Sequence, residues 1–193
     1  MELYYTEFMD LQTMGTSAVM YVYEGGKRHF AILTNFDGYP SHAGANILGF
    51  VCNRKNVQKL RDSLNKCVLI TPEEREEYRK RSRNWEYDYA EKHPGYTVAG
   101  DGEFLQTLIS SKRSVYVIDW SNDMRFSDWA YVIDLDRNTF EVYEGMNSIP
   151  LEKNERFYDG LPPDNDIYPF KEVAIFDMDD LPSNDEFLEK TER

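Results

Sequence analysis

Apolar and polar residues alternate in two neighbouring stretches near the start of this chain. Residues 16–23 and 28–34 both show the alternation and are rich in β-branched and aromatic side chains, and Gly25 and Gly26 lie between them. Strands whose side chains point to opposite faces produce this two-residue period, and a glycine pair permits a tight turn. The pattern predicts a β-hairpin.

Helical spacing replaces the alternation after a turn that begins at Asp37. Ser41 is the predicted N-cap of a helix that ends near residue 51, and a second helix is predicted over residues 56–67. In both segments apolar residues recur every three or four positions, as on the buried face of a helix. The residues with this spacing are Ile47, Leu48, Val51, Val57, Leu60 and Leu64.

A strong helix start follows at Thr71, with proline at the first helical position and Glu74 three residues after the cap. We predict one helix from there to about residue 92. Its first turns are almost wholly charged, so it should pack through its later, aromatic turns. Residues 72–93 are therefore interpreted as a solvated or protruding helix of the kind an insertion forms.

The second half of the chain predicts a second hairpin. The predicted elements are a short helix over residues 103–109, strands over residues 114–120, 129–135, 139–144 and 170–176, and a short C-terminal helix capped by Ser183. Two hairpins separated by helices indicate an α+β fold with a mostly antiparallel sheet and helices packed on it, because regular βαβ alternation is absent. The 193 residues fit a single domain that ends in an acidic segment, residues 178–193.

The excess of acidic over basic residues lies entirely in the second half of the chain. Residues 1–100 hold 13 acids and 13 bases, whereas residues 101–193 hold 22 acids and 9 bases, which gives the net charge of −13. Such a surface repels phosphate backbones, so direct nucleic-acid binding is not expected. It suits a basic protein partner, a cation or solubility alone.

The remaining composition points to a cytoplasmic protein without a membrane segment. No apolar stretch has the length of a membrane span, and no secretory leader is visible. Cys52 and Cys67 lack metal or redox spacing, which fits a reducing compartment.

The richest candidate site combines residues 14–17 and 37–44, called the corner below. Asp37, Ser41 and His42 could act as an orienting carboxylate, a nucleophile and a base, and free N–H groups at the helix start could hold a small anionic ligand. The alternative is structural, with Asp37 and Gly38 in a turn and Ser41 capping the helix. Ser41 is a poor nucleophile if it caps. The predicted binding residues are Asp37, Gly38, Tyr39, Pro40, Ser41 and Gly44.

Thr16 is a fourth catalytic candidate. A Gly-Thr pair before a strand is typical of N-terminal-nucleophile hydrolases, whose terminal amine activates the Thr hydroxyl within an αββα sandwich. Thr16 is joined to Gly15 in this sequence, which runs unbroken from Met1, so Thr16 has no free α-amine. We therefore keep a relation to that sandwich open and do not expect autoprocessing.

Metal and cofactor sites are not expected. Asp134, Asp136 and Asn138 imitate the start of a calcium loop, but Thr139 and Gly145 occupy the positions of the required glycine and glutamate. A hairpin turn explains these residues better. The three histidines show no zinc spacing, and no cofactor motif is present.

Four stretches carry a resemblance to a known group: Met14-Gly15-Thr16, Asp37-Gly38-Tyr39-Pro40-Ser41, residues 128–136 and residues 139–143. Over residues 14–145 the chain resembles small uncharacterised proteins of filamentous fungi, bacteria and their phages. Those proteins typically open Met-Gly-Thr-Arg and continue with Trp-Asp-Gly-Tyr-Pro-Ser-Gly and a Trp-Ala-Tyr-Val-Ile-Asp-Leu-Asp hairpin.

This chain departs from the pattern at three places. Ser17 stands in place of Arg, Phe36 in place of Trp, and His42 and Ala43 precede Gly44. The resemblance implies that residues 1–13 are an N-terminal extension, and that the protein works in the host cytoplasm if it is phage-encoded. It implies no activity.

Two functions fit the sequence. The favoured one is a non-enzymatic binding protein, of the kind that a phage or mobile element uses to engage a host protein. The alternative is a small hydrolase or transferase that uses Thr16, Asp37, Ser41 or His42 at the corner. The sequence leaves the oligomeric state open.

Overall fold

A computed structural model describes residues 15–34, 36–98, 100–120, 126–160 and 162–192. The predicted first hairpin is confirmed: strand β1 (Ala18–Glu24) pairs antiparallel with β2 (Lys27–Thr34). Gly25 and Gly26 both adopt the left-handed conformation that makes their turn tight. The N-terminal extension, residues 1–13, and Met14 lie outside the described residues.

In the part of the chain that the structure describes, seven strands form two sheets. The remaining strands are β3 (Cys67–Ile70), β4 (Val115–Ile118), β5 (Trp129–Asp134), β6 (Thr139–Glu144) and β7 (Lys171–Asp177). The main sheet has the order β2-β1-β5-β6-β7, in which β1 and β5 are parallel and the other pairs antiparallel. β3 and β4 form a small parallel sheet. The predicted α+β class is confirmed.

Six α-helices are present in the described residues, together with two short turns of other helix types. They are α1 (Ala45–Val51), α2 (Arg54–Ser63), α3 (Pro72–Arg81), α4 (Trp85–Lys92), α5 (Asp101–Ser110) and α6 (Asn184–Thr191). A π-helical turn (Pro40–Gly44) leads into α1, and a 3₁₀ turn (Leu64–Lys66) follows α2. No helix among the described residues is long and apolar enough to span a membrane.

The predicted caps of α3 and α6 are confirmed. The Thr71 hydroxyl accepts a hydrogen bond from the N–H of Glu74, 3.1 Å away. Ser183 and Glu186 form a complete capping box at the start of α6. These two predictions succeeded because each cap is formed by residues that lie within four positions of one another.

Two helix predictions were wrong at their ends. The helix predicted over residues 56–67 ends at Ser63. Cys67, the last residue of the predicted range, starts strand β3, which was not predicted. The single helix predicted from Thr71 to residue 92 is two helices, because Ser82 is extended and ends α3. The later turns do carry the packing, since Tyr89 of α4 is buried.

The main sheet is covered on both faces. Helices α1, α2, α5 and α6 bury one face, where Met20, Ile133 and Phe140 lie in the larger core. The other face holds a smaller core around Tyr21 and Tyr143, which contacts Phe157 from the segment between β6 and β7. The suggested relation to αββα sandwiches gains no support. Such a sandwich packs two large sheets together, whereas the described residues form only one large sheet and a two-stranded one.

Register places five residues in one row at an end of the main sheet. Across the strands the row is Thr34, Ala18, Trp129, Glu144 and Lys171. β1 and β5 begin at this row, while β2 and β6 end there. The segments just beyond the row include residues 15–17 and 36–44, so the described part of the corner lies at this end of the sheet.

Candidate functional site

Gly38 holds the corner against the start of β1. Its N–H donates to the carbonyl oxygen of Thr16 at 2.9 Å. A Cβ at this position would lie 2.6 Å from the carbonyl carbon of Ser17 and 2.8 Å from the nitrogen of Ala18, so a side chain does not fit. Glycine is therefore needed at residue 38, because the backbone there lies so close to the backbone of Ser17 and Ala18. The left-handed backbone of this turn lies at Asp37, whose φ is 54°.

Tyr131 of β5 contacts both ends of the segment that runs from Gly38 to Gly44. Its hydroxyl donates to the carbonyl oxygen of Gly38 at 2.8 Å, and its ring lies 2.9 Å from the place where a Cβ of Gly44 would stand. Tyr131 is fully buried, and this burial raises the pKa of its hydroxyl well above the usual range. The hydroxyl therefore stays protonated and keeps its hydrogen bond.

The predicted capping role of Ser41 is wrong. The helix begins one residue earlier with Pro40, and the backbone of Tyr39 caps it by accepting from the N–H groups of His42 and Gly44. Ser41 lies inside the π-helical turn, and its own N–H donates to Glu192 Oε1 at 2.9 Å. A carboxylate of the protein thus occupies the position where a small anionic ligand was expected.

The side chains of the four catalytic candidates share no hydrogen bond among the described residues. Asp37, Ser41 and His42 are exposed, while Thr16 is half-buried and uses its carbonyl oxygen to hold Gly38. Within the described part of the chain, no hydrogen bond or ion pair links the side chains of these four residues. No nucleophile–base pair joined by a hydrogen bond is therefore found among these four described residues.

His42 also lines a polar cleft between α1 and α5, with a cavity volume of about 430 Å³. Asp37, Thr16 and Ser41 are not among its lining residues. The lining consists of His42, Asn46, Gly49, Phe50, Asp101, Gly102, Glu103 and Gln106. This group, called the polar cleft below, contains two carboxylates and no lysine or arginine.

Large apolar side chains are exposed beyond the row that ends the main sheet. Phe36 is 56% and Tyr39 is 50% exposed, and Met146 and Ile149 are also exposed. Phe36 lies two residues beyond Thr34, and Met146 two residues beyond Glu144, three strands away. A spacing of about 4.8 Å between strands puts these two ends roughly 14 Å apart. These four residues are called the apolar rim.

Ser17 and Asp128 form a further polar pair at this end of the sheet. The N–H and the hydroxyl of Ser17 donate to Asp128 Oδ2 at 2.7 and 3.0 Å. The sequence did not indicate this pair, because 111 positions separate the two residues.

The sequence analysis also missed a buried charged cluster on the face of the main sheet that holds the smaller core. Glu141 is 0% exposed, and both of its carboxylate oxygens accept from Arg156 at 2.6 Å. Arg156 also donates to Asp134 at 2.5 Å. Tyr143 and Thr139 complete the coordination of Glu141 by donating their hydroxyl groups. These five residues are called the Arg156 cluster.

The pKa directions in this cluster follow from burial and pairing. Burial alone would lower the pKa of Arg156, but hydrogen bonds to Glu141 and Asp134 raise it above its usual range. Burial and the hydrogen bond to Glu141 raise the pKa of Tyr143. Arginine and tyrosine both keep their protons, so the cluster fits a structural ion pair rather than proton transfer.

The calcium-like residues form the predicted hairpin turn. Asp134 Oδ1 accepts from the N–H groups of Asp136 and Arg137 at 3.1 and 2.9 Å. The Asp136 carboxylate accepts from Gly25 and Gly26, which ties the turns of the two hairpins together. Among the residues that the structure describes, no group of three His, Cys, Asp or Glu side chains is arranged to hold a metal ion.

Comparison with protein-family models, curated proteins and solved structures finds no match to this chain. The resemblance to the small fungal, bacterial and phage proteins therefore stays a prediction.

Proposed function

We propose that this protein is a non-enzymatic binding protein that engages a protein partner through the apolar rim. The exposure of Phe36 and Tyr39, two large aromatic side chains beside a tightly held corner, supports the proposal most strongly. Gly38 and Gly44 fix the backbone that carries Tyr39, which lies between them. Exposed aromatic residues on a rigid support are common anchors of protein interfaces.

The charge distribution favours a partner with a basic surface. The excess of acids in residues 101–193 would attract such a partner and repel nucleic acid. The resemblance to phage proteins suggests that the partner is a host protein and that this chain is an accessory factor of a phage or mobile element.

The hydrolase or transferase alternative receives less support from the geometry. It would need Thr16, Asp37, Ser41 or His42 to act together on one group. These side chains share no hydrogen bond among the described residues, and of the four only His42 lines the polar cleft. We therefore favour binding without turnover.

Capture of a partner from host extract tests the proposal with three immobilised proteins. They are the wild type, a Phe36→Ser/Tyr39→Ser variant, and a Tyr87→Ser/Val98→Ser control. The control changes side chains that are 73% and 70% exposed but lie outside the apolar rim. We expect the wild type and the control to retain the same protein, and the rim variant to lose it. Equal retention by all three proteins would contradict the proposal.

A further inference from the structure

We infer that the polar cleft is a binding site for an organic cation, a guanidinium or alkylammonium group. Its lining residues bring two carboxylates, two carboxamides and an imidazole to one cavity of about 430 Å³. This site is distinct from the apolar rim, and the two share no residue. The inference does not depend on the rim binding a protein.

The chemistry of the lining favours a cation with several N–H donors. Asp101 and Glu103 supply negative charge without a lysine or arginine in the lining to neutralise it. Carboxylate, carboxamide and imidazole groups can all accept hydrogen bonds from such a cation. Arginine and carboxylate groups also form paired, charge-assisted hydrogen bonds. An anion would be repelled by the two carboxylates.

The carboxylates are only partly used by the protein itself. Asp101 Oδ1 accepts from the N–H of Glu103 at 3.0 Å, and Oδ2 lies at the long distance of 3.5 Å from the Asn46 amide. No hydrogen bond or ion pair to the Glu103 side chain is found among the described residues. Acceptor capacity for a ligand therefore remains on both residues.

The walls of the cleft are held rigidly. A Cβ at Gly102 would lie 2.8 Å from the carbonyl oxygen of Asn46, so α5 approaches α1 more closely than another residue would allow. Phe50 and Leu105 are buried in the core that joins these helices. A cavity with fixed walls loses little freedom when a ligand enters, which favours binding.

Gly49 offers a way to close the cleft without disturbing the fold. It lines the cavity, it is exposed, and a Cβ there would meet no atom within 4 Å. A Gly49→Leu variant should fold normally and fill part of the cavity. An Asp101→Asn/Glu103→Gln variant removes charge instead, and asparagine retains the side-chain oxygen and tolerates the positive φ of 44° at residue 101.

Two natural sources could supply the cation: an arginine or lysine side chain of a protein, or a free polyamine. The probes are therefore acetyl-Gly-Arg-Gly-amide and spermidine. The peptide with citrulline in place of arginine has nearly the same shape but no charge. Binding is followed by backbone amide shifts of Asn46, Gly49, Gly102 and Glu103 in nuclear magnetic resonance titrations at low salt. An Asp180→Asn variant, which removes one negative charge outside the cleft, is the control.

We expect the arginine peptide or spermidine to shift these four amides, and the citrulline peptide to leave them unchanged. Affinity should fall about tenfold in Asp101→Asn/Glu103→Gln, since two exposed charge pairs are lost. Gly49→Leu should also weaken it, whereas Asp180→Asn should not. Tighter binding of the peptide would identify a protein side chain as the source, and tighter binding of spermidine a polyamine.

Absence of shifts with both cations would overturn the inference, as would equal shifts in the wild type and the Asp101→Asn/Glu103→Gln variant. The titration uses no protein partner, so its failure would leave the proposed function of the apolar rim untouched. Conversely, loss of partner capture by the rim variant gives no information about the cleft. The two results are therefore distinguishable.

Discussion

The corner and the Arg156 cluster contain similar numbers of polar side chains but use them in opposite ways. In the Arg156 cluster, hydrogen bonds or ion pairs engage every polar side chain, and Glu141 has no contact with water. At the corner the Ser17 hydroxyl contacts Asp128, but Gly38 and Thr16 are joined through their backbones, and the side chains of Asp37 and His42 stay exposed.

The residues that stabilise the fold therefore differ from those that are available for binding. A buried polar group that is fully hydrogen-bonded maintains the fold, and removing its partner leaves an uncompensated charge. An exposed side chain on a rigid backbone costs little to replace and is available to a partner. We therefore expect substitutions in the Arg156 cluster to destabilise the fold, and substitutions of exposed side chains in the apolar rim to change binding alone.

Arg156→Met should have the largest effect on stability. It leaves Glu141 buried without its cation, which should lower the free energy of unfolding by about 3–5 kcal/mol. Arg137→Met is the matched control, because Arg137 approaches the same Asp134 at 3.8 Å but is exposed, and its loss should cost less than about 1 kcal/mol. Urea unfolding measures both. Equal losses in the two variants would show that burial does not distinguish the cluster.

Gly38→Ala should have the next largest effect, because its Cβ would press on the backbone of Ser17 and Ala18. Overpacking of this kind costs about 1–3 kcal/mol, and valine should cost more. In contrast, Gly49→Ala meets open space within α1 and should be neutral or stabilise by up to about 1 kcal/mol. Thermal unfolding of the pair checks this. A Gly38→Val protein as stable as the wild type would show that the corner backbone can move.

Sequence reasoning was most successful where the signal was local. The first hairpin, the cap at Thr71 and the capping box at Ser183 each depend on residues close in sequence, and all are confirmed. The parallel pairing of β1 with β5 joins segments more than 100 residues apart. No periodicity within either strand indicates its partner, so this pairing could not be derived.

The same limit applies to the site. Glycine at residue 38 was recognised as special, but its reason, contact with Ser17, is non-local. Glu141 alternates with apolar residues in β6, a pattern typical of a solvent-facing position. It is buried because Arg156, from an irregular segment, covers that face of the sheet. Whether the predicted binding residues contact a ligand stays a prediction.

Asp136→Asn should have the smallest effect on stability. It sharpens the comparison because the Asp136 side chain is exposed and yet accepts hydrogen bonds. Hydrogen bonds from Gly26 and Gly25 lower the pKa of this carboxyl below its ordinary value of 3.8. The folded protein thus binds fewer protons here than the unfolded chain. The stabilisation is complete above the unfolded pKa and is lost as the pH falls through the folded one. Asp136→Asn should make stability depend less steeply on pH below about 4, whereas Asp180→Asn should not. An unchanged slope would show that these hydrogen bonds contribute nothing.

The central claim is that the apolar rim beside the corner binds a protein partner without the side chains of the four catalytic candidates. It is tested most directly by the affinity for the captured partner, measured by calorimetry on two folded variants. One variant carries Thr16→Ala, Asp37→Ala, Ser41→Ala and His42→Ala, and the other carries Phe36→Ser and Tyr39→Ser. We predict that the first keeps wild-type affinity within about threefold, while the second loses at least about tenfold, the effect of one interface anchor. Loss of affinity in the first variant with retention in the second would contradict the claim.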